Sequence, residues 1–276
     1  MMQNRMVLTS TANPRIKGLI KLRQRSHRDS LDRMLIEGFR EILRALDNDH
    51  PVEEIFTCPE LYQGTNNEAL VERAAASGAR VTACSSRVFQ RIAYRDRPDG
   101  LVAVAPQVRY PLSRLSPRSP ALLLVAESIE KPGNLGSILR SADGAGADAV
   151  IVCDRCTDIN NPNVVRASIG TIFSRPVIET ESTTAIDWCR QHEIEIVATT
   201  PSANLNYSDV DLSKSVAIVL GTEQYGLSQV WLDAAVTRVR IPMLGQSDSL
   251  NVATAATLLL YEAVRQRGSQ AQSATH

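Results

Sequence analysis

Three short stretches in the C-terminal half carry the side chains best suited to chemistry. EKPGNLGSILR (130–140) offers Asn134 and, six residues on, Arg140. LGTEQYGLS (220–228) sets Glu223 between Gly221 and Gly226, directly after an apolar run. IPMLGQSDSLNV (241–252) leads Ser249 and Asn251 into a stretch rich in Ala, Thr and Leu. A carboxylate bracketed by glycines at a strand end suits ligand binding, because open α/β sheets bind ligands beyond the carboxyl ends of their strands. A helix start capped by Ser249 or Asn251 would turn amide donors toward such a ligand. Gly133 and Gly136 allow close backbone approach. Each stretch also has a plain structural reading: Asn134 as a helix cap with Arg140 on the surface, Ser228 capping a helix after a simple turn, and Ala253, Ala255 and Ala256 as core packing.

The elements that would position these loops follow from periodicity. Runs at 121–126, 148–153, 194–199 and 216–220 read as strands, and Ala121–Ala126 and Val216–Leu220 are apolar enough for a parallel sheet covered on both faces. Helical patterns at 134–145, 162–169, 183–192 and 250–266 alternate with them. The three loops therefore follow strands of one sheet and can meet at one edge of it. The N-terminal third alternates as well. Strands are expected at 33–37, 52–57, 79–83 and 101–105, and helices begin after Asn13-Pro14, over Phe39–Leu46, and near 67–77 and 85–93. That is a smaller α/β layer fold. Residues 106–120 hold four prolines, three arginines and three serines and read as a linker. The expected division is 1–107, a linker at 108–120, a second domain at 121–268 and a disordered tail at 269–276.

Bulk properties bound the function. Hydrophobic residues at 43% and charged residues at 22% describe a globular chain with material for a core. No run is long enough to span a membrane, and the start lacks the apolar stretch of a signal peptide. Five scattered cysteines fit a reducing cytoplasm. Net charge is zero, but Arg5, Arg15, Lys17, Lys21, Arg23, Arg25 and Arg28 precede any acidic residue, and Arg87, Arg91, Arg95 and Arg97 face only Asp96. Such clusters either neutralise phosphates or form a solvated face. With aromatic residues at 4%, nucleic-acid contact would rest on charge and hydrogen bonds.

Other motifs point nowhere. Cys153–Cys156 is a lone CxxC without partner ligands, and no metal is expected. GAGADA (144–149) satisfies a dinucleotide pattern but follows a helix and precedes a strand, so it reads as a helix stop. The four histidines form no ligand pair, and neither a nucleophile elbow nor a P-loop is present.

PGNLGSILRSADGAG, LGTEQYGLS and IPMLGQSDSLNVATAA resemble, in order, the three motifs of the SpoU (TrmH-like) RNA ribose 2′-O-methyltransferases of the SPOUT superfamily. NPNVVRASIGTIF (161–173) and the strand end at Ala198-Thr199-Thr200 are also similar, and the likeness covers about 120–266. Leu35-Ile-Glu-Gly38 resembles, more loosely, the substrate-binding domain often fused to that family. The resemblance implies an α/β fold whose parallel-sheet domain is tied in a trefoil knot, a smaller N-terminal RNA-binding α/β domain, and homodimers paired through the knotted domains. It implies S-adenosylmethionine as cofactor, held by Gly221, Ile241 and Leu250, with Thr199, Thr200, Leu220, Met243 and Gly226 nearby. Asn134, Arg140, Glu223, Ser249 and Asn251 fall on its polar active-site positions.

The implied chemistry is demanding at the nucleophile, since a ribose hydroxyl must lose its proton while attacking an already electrophilic methyl group. A guanidinium rarely deprotonates, so the expected role of Arg140 is to clamp the neighbouring phosphate and ease alkoxide formation. Thr222, Gln224 and Tyr225 depart from the family pattern and bear on loop shape and substrate choice. Ribosomal RNA is the expected substrate. The alternatives are a transfer-RNA methyltransferase, a catalytically silent RNA-binding or ribosome-assembly factor, and an enzyme acting on a base or a small molecule.

Overall fold

The computed structural model describes residues 7–273, and Arg5 of the first basic cluster lies outside them. The chain forms two compact units. One comprises residues up to Val108 plus Asp158–Ser174, and the other Arg109–Thr157 plus the chain from Arg175.

In the N-terminal unit, α1 (Pro14–Lys21) and α2 (Arg25–Leu31) precede β1 (Arg33–Glu37), α3 (Phe39–Asp47), β2 (Glu54–Thr57), α4 (Asn67–Ala76), β3 (Arg80–Ala83), α5 (Ser86–Ile92) and β4 (Leu101–Pro106). The Asn13 side chain accepts from Arg15 N–H and Pro14 opens α1, as the Asn-Pro pair predicts. The sheet order is β1-β4-β2-β3. Val102 and Val104 on β4 face a core that includes Leu19, Leu35, Phe56 and Phe89. α2 has no strong periodicity and the sequence does not announce it. Its Arg28 is 1% exposed. The guanidinium donates to Asp158 Oδ2 (3.1 Å from Nε), Leu22 O (2.9 Å) and Arg23 O (2.8 Å). Arg28 is therefore a structural ion pair and not a phosphate contact. Arg15 is likewise bound to Glu54 and Thr82, and Arg23 donates to the carbonyls of Arg91 and Ala93. Three of the six described members of the first basic cluster thus hold the unit together.

The segment Asp158–Ser174, with α7 (Pro162–Ala167), interrupts the other unit in sequence but packs on β1 and α3 of this one. Gly170, at φ +78°, comes so close to α3 that a Cβ would lie 2.9 Å from Glu41 Cα. Arg44 donates to Ile169 O, and the rings of His50 and Phe173 stand 4.7 Å apart.

The second unit is built on β5 (Leu122–Glu127), α6 (Pro132–Gly144), β6 (Ala149–Cys153), β7 (Val177–Thr180), α8 (Ser182–Gln191), β8 (Glu195–Thr199), β9 (Leu205–Asn206), β10 (Val216–Leu220), α9 (Gln229–Ala234), β11 (Thr237–Arg240) and α10 (Val252–Ser273). Its seven strands run in the order β7-β6-β5-β10-β8-β11-β9, all parallel. Every residue of β5, β6 and β10 is buried, which is why those strands read as unbroken apolar runs. β7, β9 and β11 are short and carry polar residues, so their pattern is too weak to read from sequence. Trp231 of α9 is fully buried on one sheet face, its indole N–H donating to Ser182 Oγ at 2.7 Å. α10 packs against α6 and β10.

Two local readings need correction. The stretch from Arg109 belongs to the second unit. Leu115 is buried in that unit's core with Tyr110 and Leu112 against it, and Arg118 is held by Asp148, so the proline-rich segment is a packed strap. The helix expected to end near 266 runs on to Ser273, so the tail expected at 269–276 has helical backbone up to that point, and 274–276 fall outside the described residues. α6 stops at Gly144 with Gly146 at φ +68°, as GAGADA suggests.

Candidate active site

The parallel register brings the three loops together. Val219 of β10 lies opposite Val125 of β5 and Ala198 of β8, and Val239 of β11 lies opposite Thr199. These neighbouring strands therefore finish in step at one edge. Beyond that edge lies a cavity of about 520 Å³. The end of β8 and the residue after it supply Thr199 and Thr200, the end of β10 supplies Leu220, the loop after β10 supplies Gly221 and Gly226, and the loop after β11 supplies Ile241, Met243 and Leu250. Glu223 and Ser249 also line it. Missed by sequence reasoning are Leu227, Leu232, Val252 and Ala255, apolar wall residues that look like ordinary core in a sequence.

The loop after β10 is a closed turn. Thr222 and Gly226 exchange backbone hydrogen bonds at 3.0 and 3.1 Å, with Gly226 at φ +69°. Gly221 has no room for a side chain, since a Cβ would lie 2.2 Å from the carbonyl of Gly226. Thr222 Oγ1 accepts from Tyr225 N–H at 2.9 Å, and the Tyr225 ring stands out in solvent. Thr222, a departure from the family pattern, thus stabilises the turn.

Glu223 ties the loops together. Its Oε1 accepts from Asn134 Nδ2 and from Asn251 Nδ2 (3.4 Å), and its Oε2 accepts from Lys131 Nζ at 2.6 Å. Asn251 Nδ2 also donates to Asn134 Oδ1 at 3.2 Å, while Asn251 Oδ1 accepts from Ala253 N–H at 2.9 Å and caps α10. Glu223 and Val252 line both the large cavity and a small crevice holding Asn134, so the polar cluster adjoins the cavity. Lys131 went unnoticed in the sequence, although it stands in the first motif. Its pKa is raised by the hydrogen bond and charge of Glu223. α6 begins at Pro132 with Lys131 at its cap position, so Asn134 is not the cap the sequence suggests and its side chain is free to reach Glu223.

Arg140 stands apart. Six helical residues carry it roughly 9 Å beyond Asn134 and about 120° around α6. It is exposed, lines neither cavity, and makes no hydrogen bond or ion pair with another described residue.

The cavity suits an adenosyl sulfonium compound. Its size falls in the usual range for small-molecule sites. Leu220, Ile241, Met243 and Leu250 give it an apolar wall. Thr199 Oγ1 is buried there without a hydrogen-bond partner, leaving a polar atom for a ligand to satisfy.

Comparison with known proteins settles the lineage. Residues 121–261 match the model of the SpoU rRNA Methylase family, and residues 13–103 match that of the MRM3-like substrate binding domain. The chain belongs to the SpoU rRNA methylase family. The 23S rRNA (uridine(2479)-2′-O)-methyltransferase of Streptomyces viridochromogenes is 31% identical, with 89% of this chain and 87% of that protein covered. The AdoMet-bound rRNA methyltransferase of Sinorhizobium meliloti superposes with TM-score 0.86 at 31% identity, covering 94% of this chain and 97% of its own. A crystal structure of an RNA 2′-O ribose methyltransferase gives TM-score 0.82 at 46% identity, with 95% and 99% covered. The SpoU family thus accounts for the parallel sheet and the order of the three motifs. Among the described residues no group of His, Cys, Asp and Glu could hold a metal ion, and no helix is long and apolar enough to cross a membrane.

Proposed function

We propose that the chain transfers the methyl group of S-adenosylmethionine to a ribose 2′-hydroxyl of ribosomal RNA in the cytoplasm. The observation that carries this reading is the cavity walled by Gly221, Ile241 and Leu250 beside the Lys131–Asn134–Glu223–Asn251 cluster. The bound cofactor would supply an electrophilic methyl on a sulfonium. The protein's work is then to hold its carrier and to orient and deprotonate the hydroxyl. Relatives named as 23S rRNA 2′-O-methyltransferases and neighbours crystallised with AdoMet support the same assignment.

In this reading Thr199, Thr200, Leu220, Gly221, Gly226, Ile241, Met243 and Leu250 hold the cofactor. Glu223 accepts three donors already, so it serves as the clamp joining the loops while Asn134, Asn251 and Ser249 orient the sugar. Arg140 clamps the adjacent phosphate. It does so from a partner subunit, since within one chain it lines no part of the site. Leu258, Tyr261 and Val264 form an exposed apolar stripe on α10, which favours this helix as the homodimer face. The knot implied by the family belongs to this reading too: after β11 the loop 241–251 lines the cavity, and α10 then packs on α6.

The test is transfer of labelled methyl from S-adenosylmethionine to ribosomal RNA, mapped on nuclease digests. Label on a ribose of ribosomal RNA is expected. Label only on transfer RNA or on a base would replace the substrate, and calorimetry showing no cofactor binding would favour a silent RNA-binding factor.

A further inference from the structure

A second cleft, about 780 Å³ in volume, lies wholly within the N-terminal unit. Its walls come from the start of α3, residues 63–67 and the α7 segment. Five charged side chains line it: Arg40, Glu41, Arg95, Asp99 and Arg166. Arg95 is committed to structure. It pairs with Glu41 at 2.5 Å and Asp99 at 3.7 Å and donates to Glu37 O at 3.0 Å. Asp99 also accepts the Phe39 N–H at 3.0 Å, so the start of α3 is already satisfied. Arg40 and Arg166 are different. Both are exposed, and neither guanidinium makes a hydrogen bond or ion pair with another described residue.

Their placement is fixed by packing. The contact of Gly170 with Glu41, the Arg44 bond to Ile169 O and the His50–Phe173 ring contact hold the α7 segment on α3. The buried Arg28–Asp158 pair anchors its start. Two uncommitted guanidiniums therefore extend into one cleft from backbone positions that packing has already fixed. Planar guanidinium forks match phosphate oxygens, and the side-chain amides of Gln63 and Asn66 between them can both donate to and accept from a base edge. That combination of phosphate clamps and base-edge amides suits an unpaired nucleic-acid strand better than an acidic peptide.

We propose that this cleft anchors a single-stranded segment of the substrate RNA, with Arg40 and Arg166 on its phosphates and Gln63 and Asn66 on a base. The site is separate from the methyl-transfer cavity. The proposal rests on the RNA reading above and adds the residues that hold the RNA at a distance from the reacting ribose.

The experiment compares wild type with Arg40→Gln/Arg166→Gln, measuring ribosomal-RNA affinity by anisotropy across salt concentrations and methyl transfer alongside. Loss of two phosphate contacts should weaken RNA binding at least tenfold. It should also flatten the log–log salt dependence by about 1.4, at roughly 0.7 per contact on a single strand. KM for RNA should rise with kcat at saturating RNA and cofactor affinity unchanged. Both arginines are exposed and unpaired, so melting temperature should hold. Arg40→Lys/Arg166→Lys, which keeps the charge, should retain the salt slope. Unchanged RNA affinity and slope in the glutamine variant overturn the proposal, and RNA binding by wild type without methyl transfer overturns the enzymatic reading alone.

Discussion

Asn251 is bonded at both ends of its amide: Oδ1 accepts the Ala253 N–H at 2.9 Å, and Nδ2 donates to Asn134 Oδ1 at 3.2 Å. One side chain therefore starts α10 and joins the first and third loops. The two jobs can be separated. Asn251→Asp keeps the cap but sets a carboxylate against Glu223, so it should melt near wild type while methyl transfer falls about 100-fold. Asn251→Ala should lose activity and, with the cap, about 1 kcal/mol of stability. Equal activity of wild type and Asn251→Asp, measured by labelled methyl transfer, would remove the cluster from the mechanism.

Gly221 touches Gly226 so closely that any side chain must open the turn between them. Gly221→Ala should weaken S-adenosylmethionine binding at least tenfold by calorimetry, with only a small change in global melting because the turn is exposed. Gly133→Ala, where a Cβ meets nothing within 4 Å, is the matched control and should bind normally.

The Arg140 side chain is exposed and bonds to no other described residue, so substitution there should leave folding untouched. Arg140→Lys retains charge but loses the two-pronged fork that grips a phosphate, and kcat should fall at least 100-fold. Full transfer by the lysine variant would end the clamp role. Mixing Arg140→Ala subunits with cofactor-weakened Gly221→Ala subunits should raise activity above that of either variant alone if Arg140 serves the partner's cavity. No recovery after subunit exchange would assign it to its own.

His50 is half-buried against Phe173 and hydrogen-bonded to Pro106 O at 2.9 Å. Burial pushes its pKa below the ordinary 6.5, and the carbonyl offsets this in part. The unfolded chain then binds the proton more tightly than the folded one. The stability from a neutral His50 is complete above about pH 6.5 and is lost as pH falls from there through the folded-state value. Melting temperature should therefore drop between pH 7.5 and 5.5, and less steeply in His50→Gln. Parallel curves for the two proteins would show that His50 does not drive the acid sensitivity.

Much of this was readable in the chain, and what was not has physical reasons. β5, β6 and β10 are buried on both faces, so their apolar runs identify them directly. β11 exists because β8 offers it an edge, and the two-residue β9 because β11 does, which is a tertiary cause that no local pattern records. All eight residues that the family resemblance implies at the cofactor line one cavity, because the motifs that carry the resemblance are the loops beyond neighbouring strand ends. Lys131 stayed hidden because its partner Glu223 is 92 residues away. The role of Arg28 was misread because a basic run looks alike whether it meets a phosphate or a buried aspartate.

The excursion through α7 gives the molecule three covalent crossings between its units, at 108–109, 157–158 and 174–175. A fragment cut at the first crossing would carry a loop whose apolar and charged groups had lost their bed, leaving Asp158 stripped of its arginine. Neither half can therefore be released intact by a single cleavage, and any fragment or exchange has to keep the stretch up to Val108 together with Asp158–Ser174.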